Sequence, residues 1–430
     1  MKTTTAAENA AFGSYTLNAN TTGNNNTAVG DMSMYTNTTA SHNVALGYAT
    51  LHLNTTGNYN TAVGASALLS NTTAHYNVAV GFEACRNNTG TENTAVGYKA
   101  LRECTHNNNT AIGCNSMLSN TTGSHNTAVG YQSLDTCTTG TRNTAIGMYS
   151  LDALTTSSQN TGVGYKSLQS LTTGNYNVAV GDECMAGSTT CEWNTAIGND
   201  ALYVNTTGEK NTAVGGEALT ANTTANGNTA IGFQAGNSIT DGQYNTCVGY
   251  TAGDNITTGQ RSTMIGNNAE PSGATVGDEL VLMAGNAGVT GLGAGTSWIG
   301  AHNSSGTSGN VYRAQNESTW DTTSDRRIKK NIVDNNNGLA LLNKIQVRNF
   351  EYRTEEEITD FPRALDVVVR STGTKLGVIA QEVQEILPDI VEEGLAGCLS
   401  VKPDNITWYL VNAVKELSAE VAALKAQINN

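Results

Sequence analysis

Along most of the chain the apolar positions recur at a fixed spacing. Starting at Asn9-Ala-Ala-Phe-Gly13, the pattern N-T-A-[VI]-G returns with its Gly at 30, 47, 64, 81, 97, 113, 130, 147, 164, 181, 198, 215, 232, 249 and 266. These are 16 copies; 13 of the 15 spacings are 17 residues and two are 16. Asn opens 15 copies, with Ser262 the exception, and the residue before the Gly is always apolar, from Phe12 and Val29 to Ile265. Four residues past the Gly comes a second apolar position, usually Leu, as at Leu17, Leu51, Leu68, Leu101, Leu134 and Leu168. A polar stretch follows, often N-T-T-G, as at Asn54 to Gly57. Each unit therefore reads as a short strand, a Gly turn, a small second segment and a polar loop. Within the strand, Asn and Ala fall on one side and Thr (or Val) and Val (or Ile) on the other, which is the period of two that marks β structure.

A 17-residue unit cannot bury its apolar stripe alone, but stacked copies can. The pattern predicts a parallel β-solenoid over residues 9–270, after a short N-terminal segment 1–8. Sixteen rungs about 4.8 Å apart give a rod of roughly 75 Å. Asn at one recurring position predicts an amide ladder between rungs. Gly at a fixed position predicts a tight turn or a close backbone approach. The 16-residue units are expected to lose a loop residue and leave the ladder whole. One Val or Ile and one Leu per rung is a thin core, and Ala occupies the position two before the Gly in most copies. Small residues allow close approach of another backbone, so three chains are expected to pack around a common axis with the Ala-bearing faces or the loops involved; the alternative is a single-chain solenoid with Ala filling a narrow interior.

Composition agrees with a repeat and divides the chain. The 430 residues carry a net charge of -14, with 46 Gly, 4 Pro and 13% charged residues. Of the charged residues, 29 lie in the first 323 positions and 29 in the last 107, and no Pro precedes Pro271. A boundary is expected near Ser324. Between them, residues 271–323 read as a β-rich neck with short strands at Asp278–Ala284, Ser297–Ala301 and Asn310–Glu317. Trp298 and Trp320 are read there as packing anchors. Acidity disfavours phosphate-backbone binding, so no nucleic-acid partner is expected. No apolar run reaches the roughly 20 residues of a membrane span, and residues 1–13 lack the apolar core of a secretory signal. The eight Cys form no C-x-x-C pair, and Cys85 and Cys247 stand where other copies have Leu and Ala; they are read as buried hydrophobes. The six His share no ligand spacing. No metal or other cofactor is expected.

The recurring N-T-A-[VI]-G-x-x-[AS]-L resembles the head repeats of trimeric autotransporter adhesins and repeats of phage and other viral fibres. The resemblance implies a β-roll in each of three chains. The autotransporter reading departs from this sequence in two respects, since neither a signal peptide nor a C-terminal membrane barrel is visible.

The last segment, 324–430, opens on Ser324-Asp-Arg-Arg-Ile-Lys-Lys-Asn-Ile332. It continues through Leu376-Gly-Val-Ile-Ala-Gln-Glu-Val-Gln384 and ends in a helical stretch, 405–430. In that stretch Leu410, Val414, Leu417, Val421, Leu424 and Ile428 step by 4, 3, 4, 3 and 4, a coiled-coil seam of almost three heptads. On spacing alone, Ser324 would cap the following segment and the basic run would be a solvated face. The three motifs together resemble the intramolecular chaperone domain of endosialidases and related phage tail proteins. The resemblance implies an α+β domain that trimerises the chain, lets the β fibre fold and then cuts itself off. Its Ser–Lys dyad falls on Ser324 and Lys329, with cleavage between Thr323 and Ser324 and supporting positions at Asp325 and Asn331. A Ser hydroxyl needs a base to become a nucleophile, and Lys serves only if desolvation or a nearby cation lowers its pKa. Arg326, Arg327 and Lys330 supply such cations.

The expected protein is therefore a homotrimeric virion (tail) fibre or adhesin. Its partners would be a host-surface receptor or glycan and, at the N-terminus, another virion protein, and its only enzymatic act would be self-processing. Tyr48, Phe82, Tyr98, Tyr131, Tyr165, Phe233 and Tyr250 follow the Gly and suit either sugar stacking or ordinary packing. A polysaccharide-degrading tailspike needs two carboxylates at a set separation, and Glu92, Asp182, Glu183, Glu192 and Glu217 stand irregularly. A non-viral surface adhesin with the same chaperone is a further alternative. An ice-binding face is disfavoured because the Thr column (Thr27, Thr61, Thr94, Thr110) is interrupted by Val44, Val78 and Val178.

Overall fold

A computed structural model describes residues 5–284, 289–290, 297–302, 308–313, 331–359, 373–393, 398–401 and 403–428. The chain divides into two compact units, Met1–Thr323 and Ser324–Asn430.

The first unit is mainly β, a parallel solenoid of 16 three-residue strands from β1 (Ala10–Phe12) to β16 (Thr263–Ile265). Each strand pairs in register with the next, one unit further along the sequence, as in Ala10↔Thr27 and Thr144↔Thr161. The two 16-residue units keep that register, with Val78↔Thr94 and Thr94↔Thr110. The missing residue is one Thr of the polar loop: Asn88-Thr89-Gly90 and Cys104-Thr105-His106 stand where other rungs have four residues. Beyond the repeats the same ladder goes on. β18 (Leu280–Ala284) adds parallel to β16, β20 (Ser297–His302) adds parallel to β18, and β21 (Ser308–Arg313) closes antiparallel on β20. A two-residue pair, β17 (Ala269–Glu270) with β19 (Val289–Thr290), runs beside it. The expected neck strands thus extend the solenoid sheet. Trp298 keeps its strand position, and Trp320 lies outside the described residues.

The interior is built from the Asn and Ala side of each strand. Ala28, Ala45, Ala62, Ala145 and Ala196 are fully buried, and Leu17, Leu51, Leu101, Leu151 and Leu202 meet them across the rung. The Thr and Val/Ile positions face outward, with Ile146 41% and Ile197 42% exposed. This corrects two expectations. Val and Ile are not the core, and the Ala column is not a contact face between chains. Ala is inside because a rung only one strand thick leaves no room for a larger side chain opposite Leu. Where the Leu column fails, at Gly236 and Gly253, Ile239 and Ile256 move into the loop's Asn column and are fully buried, restoring the volume.

Three side-chain ladders run along the unit. The strand-opening Asn is buried in every rung from Asn26 to Asn245. Asn160 Oδ1 accepts the backbone N–H of Asn177 at 3.0 Å and its Nδ2 at 3.1 Å, while Asn160 Nδ2 donates to the Gly174 carbonyl at 2.9 Å. The expected amide ladder therefore also takes up a backbone donor at each rung. The loop Asn makes a second, interrupted ladder from Asn20 to Asn88 and again from Asn205 to Asn222, with Asn37 Nδ2 to Asn20 Oδ1 at 3.0 Å and Asn222 Nδ2 to Asn205 Oδ1 at 3.0 Å. Where Ile239 replaces the next Asn, Asn222 Oδ1 is left buried without a partner. The first loop Thr makes the third, each hydroxyl donating to the next rung's Thr carbonyl, as in Thr38 to Thr55 at 3.0 Å.

The corners carry a feature the sequence pattern did not announce. Each rung turns through non-Gly residues at positive φ, such as Tyr149 (60°), Leu151 (53°) and Gln159 (62°), besides Gly147 (130°). Such residues cost roughly 1–2 kcal/mol each outside Gly. They are held by bonds to neighbouring rungs, Leu151 N–H to Ser167 O at 3.0 Å and Tyr149 N–H to Tyr131 O at 3.1 Å. A Cβ on Gly147 would meet the Gly164 carbonyl oxygen at 2.2 Å, so that corner admits only Gly. An isolated rung is strained and exposed, and only the stack makes it favourable.

Candidate functional site: the C-terminal unit

The second unit is small and mixed. It contains α1 (Leu339–Leu342), the antiparallel pair β22 (Arg348–Phe350) and β23 (Lys375–Gly377), α2 (Ala380–Ile386), the antiparallel pair β24 (Val391–Glu393) and β25 (Leu399–Val401), and α3 (Pro403–Ile428). The Gly377-Val-Ile-Ala-Gln-Glu-Val-Gln384 segment forms the end of β23 and most of α2. Leu387-Pro388 ends that helix, because Pro cannot continue the hydrogen-bond ladder. α3 opens on Pro403, whose fixed φ suits the first helical turn, two residues before the helical end expected at 405.

Its core is Val383, Leu387, Ile390 and Tyr409, with Leu341, Leu342, Ile345, Val378, Ile386, Val391, Val401 and Ile406 packed around it. Tyr409 Oη donates to Asp389 Oδ2 at 2.7 Å, fixing α3 to the turn after α2. That bond, ahead of burial, holds the Tyr409 phenol above its usual pKa. Arg348 on β22 forks onto Glu382 of α2, with Nη2–Oε1 at 3.0 Å and Nε–Oε2 at 3.3 Å.

Thr323, Ser324, Asp325 and Lys329 lie outside the described residues. Asn331 is the first residue described after them, exposed and at φ 55°. The segment that follows is gripped by two residues one turn apart on α3. Asn412 Nδ2 donates to the carbonyls of Asn335 (2.6 Å) and Asn337 (3.1 Å), and Glu416 Oε2 accepts the Leu339 N–H at 2.7 Å. Sequence reasoning missed this clamp; Asn412 and Glu416 sit beside the heptad seam, and nothing in their spacing announces a partner some 75 residues away. The clamp ties the chain just after the Ser324–Asn331 motif to the final helix.

The opposite side of α3 is bare. Leu410, Val414, Leu417, Val421, Leu424 and Ile428 are all exposed, whereas Tyr409 and Ala413 are buried against the unit. A heptad seam left open to water is a surface made for other helices.

In the solenoid, the aromatic residues after the Gly are exposed and pair where rungs are adjacent. Phe82 stacks on Tyr98 at 5.4 Å and Phe233 on Tyr250 at 5.7 Å. A second column, one residue before the Asn, was not singled out from sequence: His42, Tyr59 and Tyr76 stack at 4.9 and 5.3 Å, and Tyr176 stacks on Trp193 at 4.1 Å. The N-Y-N recurrence was the signal available. The described cysteines are all free, and six of them are buried. Burial pushes the Cys184 and Cys247 thiols up to about 12, so they sit as inert core atoms. Among the described residues no group of His, Cys, Asp and Glu is arranged to hold a metal, and no helix is long and apolar enough to cross a membrane.

Residues 324–392 match the family described as the chaperone of endosialidase. A domain of this family behind a β-solenoid of about 16 turns fits a phage tail fibre with a C-terminal chaperone.

Proposed function

We propose that this chain, a solenoid followed by an endosialidase-type chaperone domain, is a homotrimeric virion tail fibre that binds a host surface. Its C-terminal domain gathers three chains, starts the ladder and is then released by self-cleavage at Thr323–Ser324. The observation that carries the reading is the open heptad seam of α3, which follows the segment, residues 324–392, that matches that family. A strained repeat gains from a nucleus that holds the first rungs together, and a bundle of three α3 helices supplies one.

In the proposed cleavage Lys329 Nζ, uncharged, takes the proton of Ser324 Oγ, and the oxygen attacks the Thr323 carbonyl carbon. The C–N bond breaks and the proton passes to the departing Ser324 nitrogen, leaving Thr323 esterified on Oγ. Water then hydrolyses the ester to a Thr323 carboxylate and a free Ser324 hydroxyl. Asp325 and Asn331 support the geometry. The host partner is a surface receptor or glycan meeting the exposed aromatic columns, and another virion protein holds the N-terminus.

The test compares the purified chain with Ser324→Ala by denaturing gel and intact mass. A fragment of roughly 12 kDa, absent from the variant, is expected. An uncut unsubstituted chain would sink self-processing, and a monomer by light scattering would sink the fibre reading.

A further inference from the structure

The column of residues just before the strand Asn changes character towards the end of the repeats. In its earlier part the rings close on one another: Tyr59 has His42 on one face at 4.9 Å and Tyr76 on the other at 5.3 Å. Trp193 differs. Tyr176 covers one of its faces at 4.1 Å, but the next two rungs carry Lys210 and Gly227 where further rings would stack, and Tyr244 comes after them. Gly227 is the one Gly in this column from residue 8 to residue 261. Its φ is 70°, and a Cβ on it would stand 2.7 Å from Tyr244 Cδ1, so the Tyr244 ring lies back over the bare backbone of that rung. With rungs about 4.8 Å apart, the uncovered face of Trp193 and the ring of Tyr244 bound a slot roughly 10 Å long. Trp193 is 53% exposed and Tyr244 61%.

Polar groups run beside the slot. One position earlier in each rung stand Asn175, Glu192, Glu209 and Asn226. Asn175 Nδ2 donates to Glu192 Oε1 at 2.9 Å, and the Glu209 N–H donates to Asn226 Oδ1 at 2.6 Å. Lys210 is exposed and takes part in no ion pair among the described residues.

We propose that this slot binds a neutral pyranose sugar of a surface glycan. The ring's C–H face lies on Trp193, its far edge meets Tyr244, and its hydroxyls are shared among Glu192, Glu209 and Lys210. The inference rests on the host-surface reading above and deepens it to one place on the shaft and one class of ligand. Three features select that class. An aromatic face wants an apolar surface against it, and a pyranose offers one together with a rim of hydroxyls. A wholly apolar ligand would leave two carboxylates and an ammonium beside the slot without partners, at a desolvation cost. An acidic sugar would meet a local charge of -1, the sum of Glu192, Glu209 and Lys210, on a chain of net charge -14, and like charges oppose binding.

The test uses the full chain on an array of neutral oligosaccharides built from glucose, galactose, mannose and N-acetylglucosamine, beside oligomers of sialic and uronic acids. Binding to a neutral oligosaccharide and to none of the acidic ones is expected. Trp193→Ala and Tyr244→Ala should each weaken it by about tenfold, the loss of one aromatic contact. Tyr59→Ala, in the closed part of the column, should leave it unchanged, with the same β circular-dichroism signal in all four chains. Neutral-sugar binding that survives both slot substitutions would place the sugar elsewhere and overturn the inference, with the host-surface reading intact. Binding to acidic oligomers alone, or to nothing on the array, would overturn it too. The fibre reading falls by a separate result, a monomer by light scattering on the same samples.

Discussion

At the scale of single residues, the solenoid depends on groups that satisfy one another only across rungs. Asn143 is the simplest case. Its Oδ1 accepts the Asn160 N–H at 3.0 Å and its Nδ2 donates to the Ser157 carbonyl at 2.8 Å, and the side chain is fully buried. Asn143→Ala leaves a buried donor and a buried acceptor, at about 1–3 kcal/mol apiece. A fall in the chemical-denaturation midpoint of that order is expected. Asn143→Ser is expected to cost less, because Ser262 already fills this column and its Oγ accepts the Glu279 N–H at 3.4 Å. Stacking also repeats charges. Asp152 lies one rung from Asp135, and burial, then the Asp135 carboxylate, push its pKa up to about 6. The folded state therefore holds a proton that the unfolded chain releases near 4, so this group lowers stability as pH rises through the interval from about 4 to 6. Asp152→Asn should raise the melting temperature at pH 7, and the difference should vanish below pH 4. Equal gains at both pH values would mean that the carboxylate charge is not the cause.

At the scale of elements, α3 performs two jobs on two sides. Tyr409, Asn412, Ala413 and Glu416 hold the small unit together and clamp residues 335–339, while the Leu410–Ile428 seam stays open. Charging the seam with Leu417→Asp and Leu424→Asp should leave the unit's own core intact, because neither residue is buried in it. The expected result is loss of trimer by light scattering, with less soluble full-length chain. A trimer that persists would show that the seam is not what gathers the copies. The strand and corner elements were legible unequally. The Asn-to-Gly strand was readable because its period of two is short and repeated, and its register followed from the spacing alone. The positive-φ corners at Tyr149, Leu151 and Gln159 were not, because these residue types carry no conformational signature comparable to the Gly at 147.

At the scale of the whole molecule, the two units answer different questions. The solenoid is a polymer of one unit, so its stability grows with each rung added and a first rung has nothing to lean on. The chaperone unit has a small core of its own and an apolar seam to spare. The proposed detachable nucleus follows from that difference. The amino-acid sequence by itself determined the ladder, its rung count, the loss of a loop residue in the short units and the motif-bearing tail, because periodicity and motif are properties of order along the chain. Only the tertiary structure decided which strand side became the interior. Both sides carry small or apolar residues, and the choice of Ala with buried Asn over Val and Ile depends on how much space a one-strand rung leaves opposite Leu, together with which side chains reach the backbone donors above and below. It was likewise the fold, through Asn412 and Glu416, that joined the last helix to residues 335–339, a contact between positions too far apart in sequence for any local pattern to record.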